Sequence, residues 1–138
     1  EVYPVVYVLD GESQFLSTVA TIDYLSSAAL GNDIIPRMIV VGIPNTNRDR
    51  DLTPTKGMMG SDSSSIHITG GGPKFLDFIT TELIPYVDSL YATSEYRTLI
   101  GHSLGGLLVL DALLNKRDYF NQYLVVEESI NIKTLLLL

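Results

Sequence analysis

Ser103 stands between two glycines in the run RTLIGHSLGG at 97–106. Gly101, Ser103 and Gly105 give the spacing Gly-x-Ser-x-Gly. A short apolar run precedes it, and a helix-patterned segment (LLVLDALL, 107–114) follows at once. Such a strand-to-helix corner is strained, and it exposes a serine hydroxyl at its tip, where the oxygen can attack a carbonyl. Gly101 and Gly105 lack Cβ atoms, so the strand and helix can approach closely on either side. The helix start adds unpaired N–H groups that stabilise negative charge. The bare pattern arises by chance in about one chain in twenty of this length; the flanking strand and helix make it specific. A phosphate-binding loop would need Gly-x4-Gly-Lys-Ser/Thr, and no lysine is here. A dinucleotide fingerprint would need Gly-x-Gly-x-x-Gly, and Gly101, Gly105 and Gly106 are wrongly spaced.

A serine hydroxyl needs a base to take its proton and donors to hold the oxyanion that forms. One expected donor is the backbone N–H of Leu104, just after the serine. The second should come from the loop after a neighbouring strand, and the first strand ends at Asp10-Gly11-Glu12-Ser13. The amides of Gly11 and Glu12 are the candidates, with a plain turn glycine as the other reading of Gly11. The base is the difficulty, because no histidine follows residue 103. His102 adjoins the serine, so its side chain is expected to diverge and pack beside the elbow, with substrate contact as its other reading. His67 lies upstream in a long loop and would reach the serine only by an unusual path. Asp111 should point away from the tip, while Asp118, Glu127 and Glu128 are the later acids. Arg48 and Arg50 are candidates to contact an anionic substrate. Their alternative is pairing with Asp49 and Asp51, which contributes little if exposed.

The elements that must position these groups can be read from apolar patterning. Residues 5–9 form an apolar strand ending at the turn signal Asp10-Gly11. A helix is expected over 15–30, closed by Gly31-Asn32. A second strand spans 38–43. An irregular segment, 44–72, leaves its C-terminal end, the edge where open α/β sheets bind ligands, and reads either as a lid or pocket wall or as a solvated surface loop. A helix follows over 75–90, kinked or divided at Pro85. Then come a strand at 98–100, a helix at 104–116 and a strand at 123–126. Strands apolar throughout, alternating with helices, indicate a parallel sheet of about four strands covered on both faces. Neither an internal repeat nor a domain boundary is visible, so 1–138 reads as one domain.

Composition narrows the function. The 138 residues carry a net charge of −7, from 9 basic and 16 acidic side chains. That balance disfavours nucleic acid as a partner, since neutralising phosphates needs clustered Lys and Arg. There is no cysteine, which removes thiolate chemistry; with only two histidines, ligands for a structural zinc are too few. No metal or cofactor is called for. No run reaches the length of a membrane span, and no signal peptide opens the chain. The compartment is left open between cytoplasm and periplasm. Since the first residues already read as strand, the chain is expected to be part of a longer polypeptide.

Several further segments match a known pattern: YPVVYVLDG at 3–11, VVGIPNT at 40–46, RDRDLTP at 48–54, GG at 71–72 with FLDF at 75–78, ELIPY at 82–86, and RTLIGHSLGG at 97–106. With these, the chain resembles the esterase D-like family of the α/β-hydrolase superfamily, closest to members resembling a periplasmic siderophore trilactone esterase. The resemblance covers residues 3 to about 126. It implies a three-layer sandwich in which these strands form the middle of a larger sheet, with the first strand beside the one carrying Ser103. It also implies that Ser103 is the nucleophile and that Leu104 supplies an oxyanion N–H. Members are roughly twice as long and keep their catalytic histidine in the part missing here. After the fourth strand they continue with a serine-rich turn and paired tryptophans, whereas this chain reads EESINIKTL at 127–135 and has no tryptophan.

Three functions follow as alternatives. The first is a serine carboxylester hydrolase working through an acyl-enzyme on a small-molecule ester. The second is an acyltransferase of the same fold. The third is a non-catalytic fragment that pairs with another chain, its own copy included, through an open sheet edge.

Overall fold

The structure is a computed structural model and describes residues 1–57 and 68–126. Four strands form one parallel sheet: β1 (Tyr3–Leu9), β2 (Ile39–Ile43), β3 (Thr93–His102) and β4 (Gln122–Val126), in the order β2-β1-β3-β4. In register, Val6 lies beside Val40 and Thr98, and Ile100 lies beside Leu124. Helix α1 (Gly11–Leu25) follows β1. The short α2 (Arg48–Asp51) follows β2, then α3 (Gly72–Phe78) and α4 (Ile84–Leu90). Helix α5 (Leu104–Asn115) follows β3.

Strand side chains alternate between the two faces. Val5, Tyr7, Leu9, Ile43 and Leu99 pack with Leu76, Ile79, Ile84, Val87, Leu108, Val109 and Ala112 from α3–α5. Tyr7 meets Phe120 edge-on, with centroids 6.1 Å apart. Gly42 takes the opposite face, where the Phe15 ring of α1 lies over it. Val6 and Val8 are buried on that side. The result is the expected three-layer sandwich, and each buried Val or Leu contributes about 1.5–3 kcal/mol.

Several boundaries differ from expectation. The first helix starts at Gly11 rather than 15 and ends at Leu25, with a separate 3-10 turn at Ala28–Leu30. The turn signal Asp10-Gly11 is therefore where the helix starts. The strand expected at 98–100 runs the whole of 93–102. Pro85 divides its helix as anticipated. It sits just inside α4, and a π-helical turn at Ile79–Leu83 takes up the break.

Residues 44–57, expected to be irregular, are tied down around one carboxylate. Asp51 is 4% exposed. It accepts hydrogen bonds from the N–H of Thr46 (3.1 Å), the hydroxyl of Thr46 (3.1 Å), the N–H of Asn47 (3.0 Å) and Nε of Arg50 (2.7 Å). Asn47 caps α2 by accepting the Arg50 N–H at 3.0 Å. The far end of the segment returns to α2, where Gly71 N–H donates to the Arg50 carbonyl and Gly72 N–H to that of Thr53, each at 2.9 Å. Burial alone would push the Asp51 carboxyl up. The Asn47 N–H, the Arg50 guanidinium and the Thr46 hydroxyl and N–H together hold it below the usual carboxylate range.

The approach of β3 to α5 depends on missing Cβ atoms, though not at both expected positions. A Cβ on Gly101 would land on the Gly105 carbonyl and 2.9 Å from the Val109 side chain. A Cβ on Gly105 would sit 3.4 Å from Asp10 Oδ2 and 3.5 Å from Leu9 Cβ, close to ordinary contact. The second tight glycine is Gly106, where a Cβ would lie 2.8 Å from Val125. Gly101→Ala should therefore cost about 1–3 kcal/mol or more through overpacking, and Gly105→Ala distinctly less; urea unfolding of both variants tests the order.

A second expectation concerns acid. The folded Asp51 carboxyl ionises at lower pH than in the unfolded chain. Its stabilisation is whole above the ordinary carboxylate range, about pH 4, and is lost as pH falls through the folded value. Asp51→Asn should lose about 1–3 kcal/mol at pH 7, and its gap from wild type should narrow below about pH 4. A gap independent of pH in urea titrations would contradict this.

Candidate active site

The strand order reverses between β1 and β3. The chain passes from β1 outward to β2, then returns to the other side of β1. Crevices at the C-terminal ends of strands at such a switch point are where open α/β sheets bind ligands. Two residues stand there, Asp10 after β1 and Ser103 after β3. Among the described residues they are the only non-glycine positions with positive φ.

Ser103 has φ 55° and ψ −117°, outside the regions where L-residues are comfortable. The conformation is imposed from both sides. Its N–H donates to the Val126 carbonyl at the end of β4 (3.1 Å), and its own carbonyl accepts from Gly106 (2.8 Å) and Leu107 (3.4 Å). Ser103 occupies the N-cap of α5, yet its side chain makes no capping hydrogen bond, and the residue is partly exposed. The hydroxyl is thus not used by the helix it precedes. Since Ser103 accepts the bonds of Gly106 and Leu107, the amides of Leu104 and Gly105 precede the helical ladder.

Asp10 repeats the arrangement one strand away. It has φ 53° and ψ 43°, occupies the N-cap of α1, and its side chain does not cap either. Its carbonyl accepts the N–H of Ser13 and of Gln14, each at 2.9 Å, which leaves the amides of Gly11 and Glu12 ahead of the ladder. Gly11 serves a close approach: a Cβ there would meet the backbone of Gly42 and Ile43 at 2.6–2.7 Å. Two helix N-termini side by side, each with amides outside its ladder, form a surface suited to negative charge.

The other sequence candidates are distributed as follows. Arg48 gives both ends of its guanidinium to Asp10, with Nε 2.8 Å from Oδ1 and Nη2 3.0 Å from Oδ2. Arg50 bonds Asp51 through Nε at 2.7 Å and also reaches the Thr46 hydroxyl. Both arginines therefore have carboxylate partners within the chain, although for Arg48 the partner is Asp10 rather than Asp49 or Asp51. His102 is partly buried, and its carbonyl lies 3.4 Å from Arg48 Nη2. Asp111 is buried and accepts from Asn115 Nδ2 at 2.8 Å, two turns along α5, as expected for a residue turned from the tip. Asp118 lies before β4, at the end of the sheet opposite Ser103, because Gln122 pairs with Thr98 and Val126 with His102. That distance removes Asp118 from the site. His67, Glu127 and Glu128 lie outside the described residues. Among the described residues, no three His, Asp or Glu side chains converge as metal ligands, and no helix is long and apolar enough to cross a membrane.

Asn45 was not singled out from sequence. Its Nδ2 donates to Asp10 Oδ1 at 2.6 Å and lies 3.4 Å from Glu12 Oε1. Its own Oδ1 is buried without a hydrogen-bond partner among the described residues. The only sequence signal was an asparagine three residues before an arginine in a loop leaving a strand end.

Comparison with known proteins agrees with this fold. The family described as Putative esterase matches residues 1–126. The ferri-bacillibactin esterase BesA of Bacillus subtilis is 34% identical, over 94% of this chain and 48% of its own length. A siderophore enterobactin esterase of Emericella nidulans is 33% identical, over 91% of this chain and 46% of its own. The crystal structure of an IroE-like serine hydrolase from Shewanella oneidensis superposes with a TM-score of 0.79 at 43% identity, over 87% of this chain and 39% of that one. The chain thus spans about half the length of the curated relatives it matches. The sheet, its helices and the match over 1–126 together make this chain a member of the Putative esterase family.

Proposed function

We propose that Ser103 is the nucleophile of a serine carboxylester hydrolase. The Ser103 backbone carries this reading: a strained corner between β3 and α5 holds a hydroxyl that its own helix does not use. In the proposed reaction, Oγ adds to the ester carbonyl as its proton passes to a base. The tetrahedral oxyanion is held by the N–H of Leu104 and by the N–H of Gly11 or Glu12. Collapse expels the alcohol, and water releases the acid from the acyl-enzyme. The base is a histidine outside the described residues, since His102 precedes the serine directly. The serine route is supported by the similarity to the IroE-like serine hydrolase from Shewanella oneidensis. The substrate class we propose is the ester linkage of a siderophore, after the relatives named as esterases of ferri-bacillibactin, enterobactin and triacetylfusarinine C.

Mass spectrometry of the full-length protein after treatment with a fluorophosphonate should find the adduct on Ser103. Ser103→Ala should lower kcat for p-nitrophenyl butyrate by about 10³-fold or more without lowering the urea midpoint. A label on another residue, or an unchanged kcat, overturns the mechanism. Enterobactin left intact by an enzyme that cleaves p-nitrophenyl butyrate overturns the substrate class alone. A further expectation concerns strain. Ser103→Gly should abolish activity and raise stability by about 1 kcal/mol, because glycine adopts φ 55° without a Cβ clash.

A further inference from the structure

An aspartate at an N-cap ordinarily accepts a hydrogen bond from the second or third amide of its own helix. Asp10 does not. Its carboxylate is 4% exposed and is held from the other side, by residues that follow β2. Oδ1 accepts from Asn45 Nδ2 (2.6 Å) and Arg48 Nε (2.8 Å), and Oδ2 from Arg48 Nη2 (3.0 Å). The two-pronged guanidinium contact fixes the plane of the carboxylate as well as its place. The same Nη2 lies 3.4 Å from the carbonyl oxygen of His102, the residue before Ser103. Oδ2 is 3.4 Å from the place a Gly105 Cβ would take. One guanidinium therefore bears on the corner after β1 and on the corner after β3.

From this we infer that Arg48, assisted by Asn45, is a positioning residue for the oxyanion hole: it draws the Asp10 carboxylate off the first turn of α1 and so keeps the Glu12 amide, beside that of Gly11, open to the reacting oxygen. The inference rests on the esterase reading above. Released from Arg48, the carboxylate would turn back to cap α1. It would then occupy the Glu12 amide, the second of α1, and set a negative charge where the oxyanion must form. Both effects oppose the transition state and leave ground-state binding of a neutral ester nearly unchanged. Arg48 touches no reacting atom in this scheme. A substrate-contact role for Arg48 predicts the opposite kinetic signature, in KM.

The experiment uses the full-length protein and p-nitrophenyl butyrate, an uncharged ester, with n-butylboronic acid as a tetrahedral analogue. Arg48→Met should lower kcat by about 10²-fold, the size of losing an oxyanion donor, and weaken the boronic acid by a similar factor. KM should stay within about twofold. Arg48→Lys, which keeps the charge but not the two-pronged contact, should recover part of kcat, and Asn45→Ala should lose about tenfold. A folded Arg48→Met with unchanged kcat and boronic acid affinity overturns the inference, and so does a raised KM with kcat retained. If Arg48→Met fails to fold, the other two variants decide: wild-type kcat and boronic acid affinity in both overturn it. A wild type whose Ser103 resists fluorophosphonate counts against the esterase reading itself. A wild type that reacts, beside an Arg48→Met variant that reacts equally fast, counts against the positioning role alone.

Discussion

Strands β1 and β3 lie side by side and in parallel, so each delivers a helix to the same end of the sheet. Each helix begins one residue after its strand, across a single residue of positive φ. A linker this short leaves no other way to reverse the chain, and it forces the N-cap into a conformation that L-residues avoid. In consequence, backbone amides of both helix starts gather at the switch point, beside two N-cap residues, Asp10 and Ser103, whose side chains make no capping bond. The site is a by-product of how closely strand and helix are joined.

Strain of this kind costs about 1–3 kcal/mol at each residue and persists only where surrounding structure over-determines it. At Ser103 the determinants are the β4 carbonyl that takes its N–H and the contact of Gly101 with the α5 backbone. At Asp10 they are Asn45 and Arg48. A carboxylate this buried needs its donors, and removing one side of such a pair leaves an uncompensated charge. The Arg48 side chain is 40% exposed, so solvent screens part of the attraction. Geometry, more than net energy, is what the pair supplies.

Behind this lies a hierarchy of support. Asp51 gathers the amides of Thr46 and Asn47 and thereby shapes α2. Helix α2 carries Arg48, and Arg48 reaches Asp10. Gly71 and Gly72 close the segment against α2 from the α3 side. A stretch that reads as a polar loop is in effect a bracket between the core of the sheet and the corner after β1. Its charged residues are largely consumed in holding that bracket together.

The parallel sheet, the elbow at Ser103 and the break at Pro85 were legible in the sequence, because each depends on neighbours within a few residues. Apolar runs specify buried strands, Gly-x-Ser-x-Gly specifies a tight corner, and proline specifies an interrupted helix. The roles of Asn45 and Arg48 were not legible. Their partners lie 35 and 38 positions away at Asp10, and 54 positions away at the His102 carbonyl. A charge pattern offers no means of choosing among carboxylates, and Arg48 reads most simply as a partner of its neighbours Asp49 and Asp51. The sequence by itself determined where a strand turns sharply into a helix around a serine. Only the tertiary structure decided which carboxylate Arg48 takes, because that depends on which strand ends meet, and this is settled by packing across the whole sheet.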